Sequence, residues 1–183
     1  MSPYYLFLLT AALKVAISAL LMLAAVRDVM TRTVPNWMPM TLAVFAALLA
    51  LVDLRLFWGL CFGLTIFLFS LFCWLRGWMG GADVKLLGAA GIAVTPAAIG
   101  TFLLAVSLSG GVLATVYLLG RFVLPRFPAR RAQAQRPQAH PPQAHRPRHI
   151  LPRVLRVEAW RIRHRGPLPY ACAIAAGTIF VLS

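Results

Sequence analysis

Gly80-Gly81-Ala82-Asp83-Val84-Lys85 decides how this chain is read, because it sets a carboxylate behind two glycines and between apolar runs long enough to cross a bilayer. A lone Asp at membrane depth is costly unless it faces a protein interior, a partner or water, which makes it a candidate for function. The simpler account is local. Asp is a favoured helix N-cap, and Asp83 ahead of Val84, Lys85, Leu86 and Leu87 can start a helix. A second acid separates the two readings.

The surrounding runs place the chain in a membrane. Of its 183 residues, 61% are hydrophobic and 12% charged, against roughly 25% charged in a soluble domain, so a water-soluble fold would lack polar surface. Six apolar segments follow: Tyr4 to Val26, Trp37 to Leu51, Leu56 to Leu75, Val84 to Val94, Ala97 to Leu119 and Leu168 to Leu182. The second, fourth and last are shorter than the roughly 20 residues of a full span, so neighbours must shelter them. The first has no positive charge before it and exceeds the roughly 7–15 residue core of a secretory signal, so it reads as an anchor. The expected fold is all-α, a polytopic bundle of about six transmembrane helices.

The net charge of +14 could suggest nucleic acid, but 12 of the 18 Lys and Arg fall between Arg121 and Arg165. No nucleic-acid partner is expected. Cytoplasmic loops carry excess Lys and Arg. The first, third and fifth loops hold 16 of them and the second and fourth only Arg55, so odd loops read as cytoplasmic and both termini as outside. Lys14 falls within the first span, where it snorkels or faces the interior. Its separation from Asp28 along the helix is about 21 Å, too far to pair. Asp53 with Arg55 reads as an outer-loop polar cluster, and Glu158 with Arg161 as a surface ion pair. Cys61, Cys73 and Cys172 stand singly in apolar runs, without zinc or disulfide spacing, and read as small buried hydrophobes.

Asp28 is the second acid. It lies in the first loop sequence Arg27-Asp28-Val29-Met30-Thr31-Arg32-Thr33-Val34-Pro35-Asn36, where Pro35 pushes Val34 toward an extended backbone and Asn36 can cap the second span. Asp28 closes the first span, and two crossings later the third span returns the chain to the same side just before Asp83. Two of only four acidic residues therefore lie at matching depth. Facing carboxylates cannot both ionise easily, so one stays protonated while the other acts as base, a pair able to activate water and protonate a peptide bond. Gly80 and Gly81 let backbone approach closely, or simply make the turn between spans. Lys85 is an active-site residue or a positive-inside residue.

With these residues in place, the sequence resembles the prepilin peptidases, polytopic aspartic proteases that remove short basic leaders from type IV pilin-like precursors, and looks closest to the short Flp/Tad-pilus type. The resemblance rests on Asp28 with Pro35-Asn36 downstream, on Gly80 to Leu87 and on the six-span layout. Ala82 stands where the Gly-x-Gly-Asp form of the motif has its second glycine. The resemblance implies an intramembrane aspartic-protease-like bundle in a bacterial inner membrane. In it Asp28 and Asp83 are the catalytic pair, Asn36, Gly80, Gly81 and Lys85 belong to the substrate-facing loops, and cleavage occurs at the cytoplasmic face. Longer relatives N-methylate the new terminus through a cysteine-rich domain. This chain has no cysteine pairs for that domain, so peptidase without methyltransferase is expected, with no cofactor. A small proton-coupled transporter and a non-catalytic pilus-assembly subunit are the competing readings. A transporter dyad belongs near the midplane rather than at one membrane edge.

The expected organisation is a peptidase core over 1–121, a basic loop over 122–166 and a final span over 167–183. Arg130 to His149 is rich in Arg, Pro, Gln, Ala and His, with Gln-Ala-His at 138–140 and 143–145, a composition that cannot bury a core. His140, His145 and His149 have no Cys or carboxylate beside them, and no metal is expected. From Ile150 to His164 apolar positions recur at helical spacing among arginines, as in an interfacial helix on anionic lipid. This loop is expected to tune engagement of membrane or precursor. The loop charges make one firm prediction. Single cysteines introduced in the tract 130–149 should resist an impermeant thiol reagent added from outside the cell, and labelling there would overturn the topology.

Overall fold

The structure is a computed structural model and describes residues 3–123 and 169–183. The basic loop with its histidines, the amphipathic stretch after it and the Glu158–Arg161 pair lie outside the described residues. All regular structure among those described is helical: α1 (Pro3–Thr31), α2 (Trp37–Val52), α3 (Leu56–Leu75), α4 (Gly81–Ala93), a 3-10 turn (Pro96–Ala98), α5 (Ile99–Val123) and α6 (Tyr170–Leu182). Three segments, Pro3–Thr31, Leu56–Leu75 and Pro96–Gly120, are long and apolar enough to cross a membrane, and α2 and α6 are shorter apolar helices. Large side chains such as Phe7, Phe57 and Phe69 remain about 70% exposed, as suits a surface solvated by lipid. The protein is a polytopic membrane bundle. The chain divides into two units, residues 1–115 with 168–183 and residues 116–167, and the helix ends that carry the site belong to the first.

The apolar segments match these helices closely, with one consequential difference at an edge. α1 continues through Thr31, so Asp28 sits in its last turn and not in a loop. No Gly or Pro interrupts Val26 to Thr31, and the helix ends only where Arg32 adopts a left-handed φ of 55°. The Arg32 N–H still donates to the Asp28 carbonyl at 2.9 Å, the kind of left-handed closure that satisfies a terminal carbonyl.

α4 is the centre of the bundle, packed against α2, α3 and α6. Nine of its 13 residues are buried, so it has almost no free face, as expected of a helix enclosed by others. Its neighbours come close because its middle is Gly88-Ala89-Ala90-Gly91 and α3 offers Gly59 and Gly63. A Cβ on Gly88 would lie 2.8 Å from Phe67 Cβ, and one on Gly91 would lie 3.3 Å from the Gly63 Cα. Lipid gives helices no hydrophobic reason to associate, so backbone contact between small residues supplies the packing energy instead.

At about 20 Å long, α4 falls short of the ~30 Å hydrocarbon core, which brings its terminal carbonyls to membrane depth. Arg55, at the start of α3, satisfies them. Its Nη1 donates to the Ile92 and Val94 carbonyls at 3.2 and 3.0 Å and its Nη2 to the Ala93 carbonyl at 2.7 Å. Its Nε donates to Asp53 Oδ2 at 3.2 Å. The expected Asp53–Arg55 cluster forms and is also a helix cap, because a guanidinium carries enough donors to close three orphan carbonyls and one carboxylate.

One smaller expectation also changes. Cys61 is exposed and Cys73 and Cys172 are half-buried, since an apolar side chain on a membrane bundle can face lipid instead of a core. Lys14 is half-buried beside a groove of about 780 Å³ between α1 and α6, flanked by Thr10 and Ser18 one turn either side.

Arg55→Met should lower the thermal unfolding midpoint measured in detergent by several degrees, a loss on the order of 2 kcal/mol for stripping charged donors from buried carbonyls. Arg55→Lys, with one ammonium in place of the fork, should recover part of it. An unchanged midpoint in Arg55→Met would show that the cap contributes nothing.

Candidate active site

Asp83 is the third residue of α4, and the N-cap is Gly80, in an ordinary extended conformation. The expectation that Asp83 could serve as an N-cap therefore fails by three positions. The Asp83 and Val84 N–H groups donate to the Gly80 carbonyl at 3.1 and 3.3 Å. The Asp83 carboxylate turns back along the helix and accepts from the Gly80 backbone. A Cβ on Gly80 would lie 2.8 Å from Asp83 Oδ2. Gly80 thus leaves room beside a carboxylate, and its backbone conformation does not itself call for glycine. The turn between α3 and α4 is made elsewhere, at Gly77, where φ is 74°. Gly81 sits beside the Trp74 ring, its Cβ position 3.3 Å from Nε1.

Asp83 is buried, at 8% exposure, and the Asp28 carboxylate and the Arg32 guanidinium lie close enough to act on it electrostatically. Asp28 is half-buried at the end of α1, and its Oδ2 accepts the Ala171 N–H at 3.4 Å. The first N–H groups of a helix have no partner within it, and here one belonging to α6 is directed at a carboxylate, where the helix dipole is positive. The end of α1 and the starts of α4 and α6 therefore converge. This end of the bundle gathers two acids, a cation and a helix N-terminus.

Asn36 and Lys85 also meet. The Lys85 Nζ donates to Asn36 Oδ1 at 2.8 Å, and both residues are exposed. Asn36 does occupy the N-cap position of α2 but makes no side-chain cap bond there. The anticipated cap is replaced by a link between the α1–α2 connection and α4, because the longer reach of Lys85 brings a charged donor to the amide oxygen.

All six site residues named from the sequence thus lie around this end of the bundle, linked in two sets: Asp28, Gly80, Gly81 and Asp83, and the pair Asn36–Lys85. Sequence reasoning missed two members. Arg32 carried a signal, a cation four residues after Asp28 on one helical repeat, which was read only as a loop charge. Ala171 carried none, because its contribution is a backbone N–H.

Fold and site together define a class: a helical membrane protein with a pair of carboxylates held at one end of its bundle. Residues 15–115 match the model of the type IV leader peptidase family, and the chain belongs to that family. It is a peptidase, hence a hydrolase, and resides in a membrane. No curated protein matches the chain, and no solved structure does either.

Gly80→Ala should displace the Asp83 carboxylate without unfolding the protein, lowering peptidase activity by roughly 10- to 100-fold, the range a misplacement of about 1 Å can produce. Gly81→Ala, whose new methyl meets only a ring edge, should cost less. Equal activity of Gly80→Ala and the parent, measured on one substrate, would remove the steric explanation for this glycine.

Proposed function

We propose that the chain is an aspartic-type leader peptidase, with Asp28 and Asp83 as its catalytic pair, that removes the short leader from type IV pilin-like precursors of the Flp/Tad kind. The carrying observation is that two of only four acids in the chain come within electrostatic reach of each other where α1, α4 and α6 converge. One carboxylate takes a proton from a water molecule as its oxygen attacks the scissile carbonyl. The other, protonated, gives its proton to the departing amide nitrogen, and the pair returns to a single shared proton. Arg32, near Asp83, balances the negative charge that the pair and the tetrahedral oxygen share. Asn36, Gly80, Gly81 and Lys85 act on the approach to the dyad: the Lys85–Asn36 bond holds the α1–α2 connection against α4, and the two glycines keep the floor beside Asp83 open.

Loop charge supports the sidedness. The convergent end lies on the side of the odd loops, which carry nearly all the Lys and Arg, so cleavage is assigned to the cytoplasmic face of a bacterial inner membrane. The partners are then the precursor and the bilayer, with the basic tract over 122–166 engaging anionic lipid. A proton-coupled transporter fits less well, since its carboxylates would sit near mid-span, whereas Asp28 occupies the last turn of α1 and Asp83 the first of α4.

Co-expression with a Flp-type precursor tests the assignment. Asp28→Asn and Asp83→Asn should each lower processing by at least about 10³-fold, the scale of acid–base chemistry, while the variants still insert at parental levels. Asp53→Asn and Glu158→Gln should leave processing largely intact. Near-parental processing by either dyad variant would refute the aspartic mechanism.

A further inference from the structure

The groove of about 780 Å³ between α1 and α6 lies at the end of the bundle away from the acid pair. Its α1 wall extends from Phe7 to Met22, and Lys14 is the one charged side chain lining it. The hydroxyls one turn either side are already committed, Thr10 donating to the Leu6 carbonyl at 2.9 Å and Ser18 to the Lys14 carbonyl at 2.8 Å. The Lys14 ammonium makes no hydrogen bond or ion pair among the described residues. No described acid is placed to serve it. Asp53, at the same end of the bundle, is held by Arg55 at 3.2 Å, and Asp28 and Asp83 stand at the opposite end.

Depth makes this cation need a partner. α1 has 29 residues, a length of about 43 Å against a hydrocarbon core of ~30 Å. With the core centred on the helix, Lys14 lies roughly 10 Å inside the nearer edge. Helical side chains lean toward the N-terminus, so Lys14 leans toward that edge, but an extended lysine side chain reaches only about 6 Å. Snorkelling therefore stops short of bulk water, and an ammonium left alone there is costly. An anion has to come down to it.

The rest of the groove selects among anions. A free phosphate ion would neutralise Lys14 but leave the apolar wall below it uncovered. A zwitterionic lipid brings its own ammonium beside the lysine. An anionic phospholipid matches both parts, because its phosphate meets the cation while a chain covers Val15, Ala19 and Met22 of α1 and Ile179 and Leu182 of α6. From Lys14 to Met22 the wall descends about 12 Å, close to the ~15 Å of hydrocarbon in one leaflet. We propose that this groove binds one anionic phospholipid of that leaflet, with its phosphate on the Lys14 ammonium and an acyl chain lying between α1 and α6. The site stands independently of the peptidase reading.

The test uses the full chain in phosphatidylcholine vesicles that carry a trace of phosphatidylglycerol with a photoreactive group in its acyl chain. After illumination, peptide mapping should place label on α1 around Ala19 and Met22 and on α6 around Ile179. An acyl-chain label at these positions is distinct from lipid drawn to the basic tract over 122–166. Lys14→Met should lower the label there about fivefold, the factor expected of one basic residue at an anionic surface, and leave label elsewhere on the bundle unchanged. Lys14→Arg should retain it. Ala19→Leu, which keeps the charge and narrows the groove, should also lower it. Unlabelled phosphatidylglycerol should compete, whereas inorganic phosphate should not. Equal labelling by phosphatidylcholine carrying the same group, unchanged labelling of Lys14→Met, or competition by inorganic phosphate would each overturn the site.

Discussion

The bundle depends on one constraint: a 13-residue helix, α4, must lie where no water can finish its hydrogen bonds. Its length cannot span the bilayer alone, so α2, α3 and α6 shelter it or complete it. The backbone contact through Gly59, Gly63, Gly88 and Gly91 fixes its distance from α3. The Arg55 guanidinium closes its far end, and Gly80 with the Asp83 carboxylate closes its near end. Both ends are thereby pinned, and Asp83 inherits its position from contacts made along the whole helix.

The dyad is built from helix termini, which explains how an acid pair is tolerated. Asp28 stands where α1 ends and α6 begins, so a backbone N–H and the positive end of a helix dipole serve it. Asp83 stands where α4 begins and uses the free N–H of its own cap. Arg32, whose own left-handed backbone ends α1, adds the charge of opposite sign. Each polar element of the site is thus a by-product of finishing a helix, and the same groups would be unsatisfied if the site were dismantled.

Much of this was legible in the sequence because lipid imposes a one-dimensional code: uninterrupted apolar length gives the helices, and a rare acid marks the interior. The lengths of α2 and α3 and the pairing of Asp28 with Asp83 follow from that code. What it could not carry depends on three-dimensional completion. Arg55 looks like a loop residue until α4 is known to end beneath it. Asn36 looks like a cap until Lys85 reaches it. Gly80 and Gly81 look like a turn, whereas Gly77 makes the turn and Gly80 makes room. The Ala171 N–H has no letter of its own, as every residue but proline offers the same group.

The Arg55 cap has a consequence for biogenesis. On the orientation proposed above, Arg55 is the one basic residue in the even-numbered loops, so during insertion it would oppose the charge asymmetry that orients the chain. A neutral residue would ease passage of that loop across the membrane but leave the last carbonyls of α4 open once the bundle closes. On that orientation, insertion and integrity after folding make opposite demands on a single side chain, which stands where the last carbonyls of α4 need it.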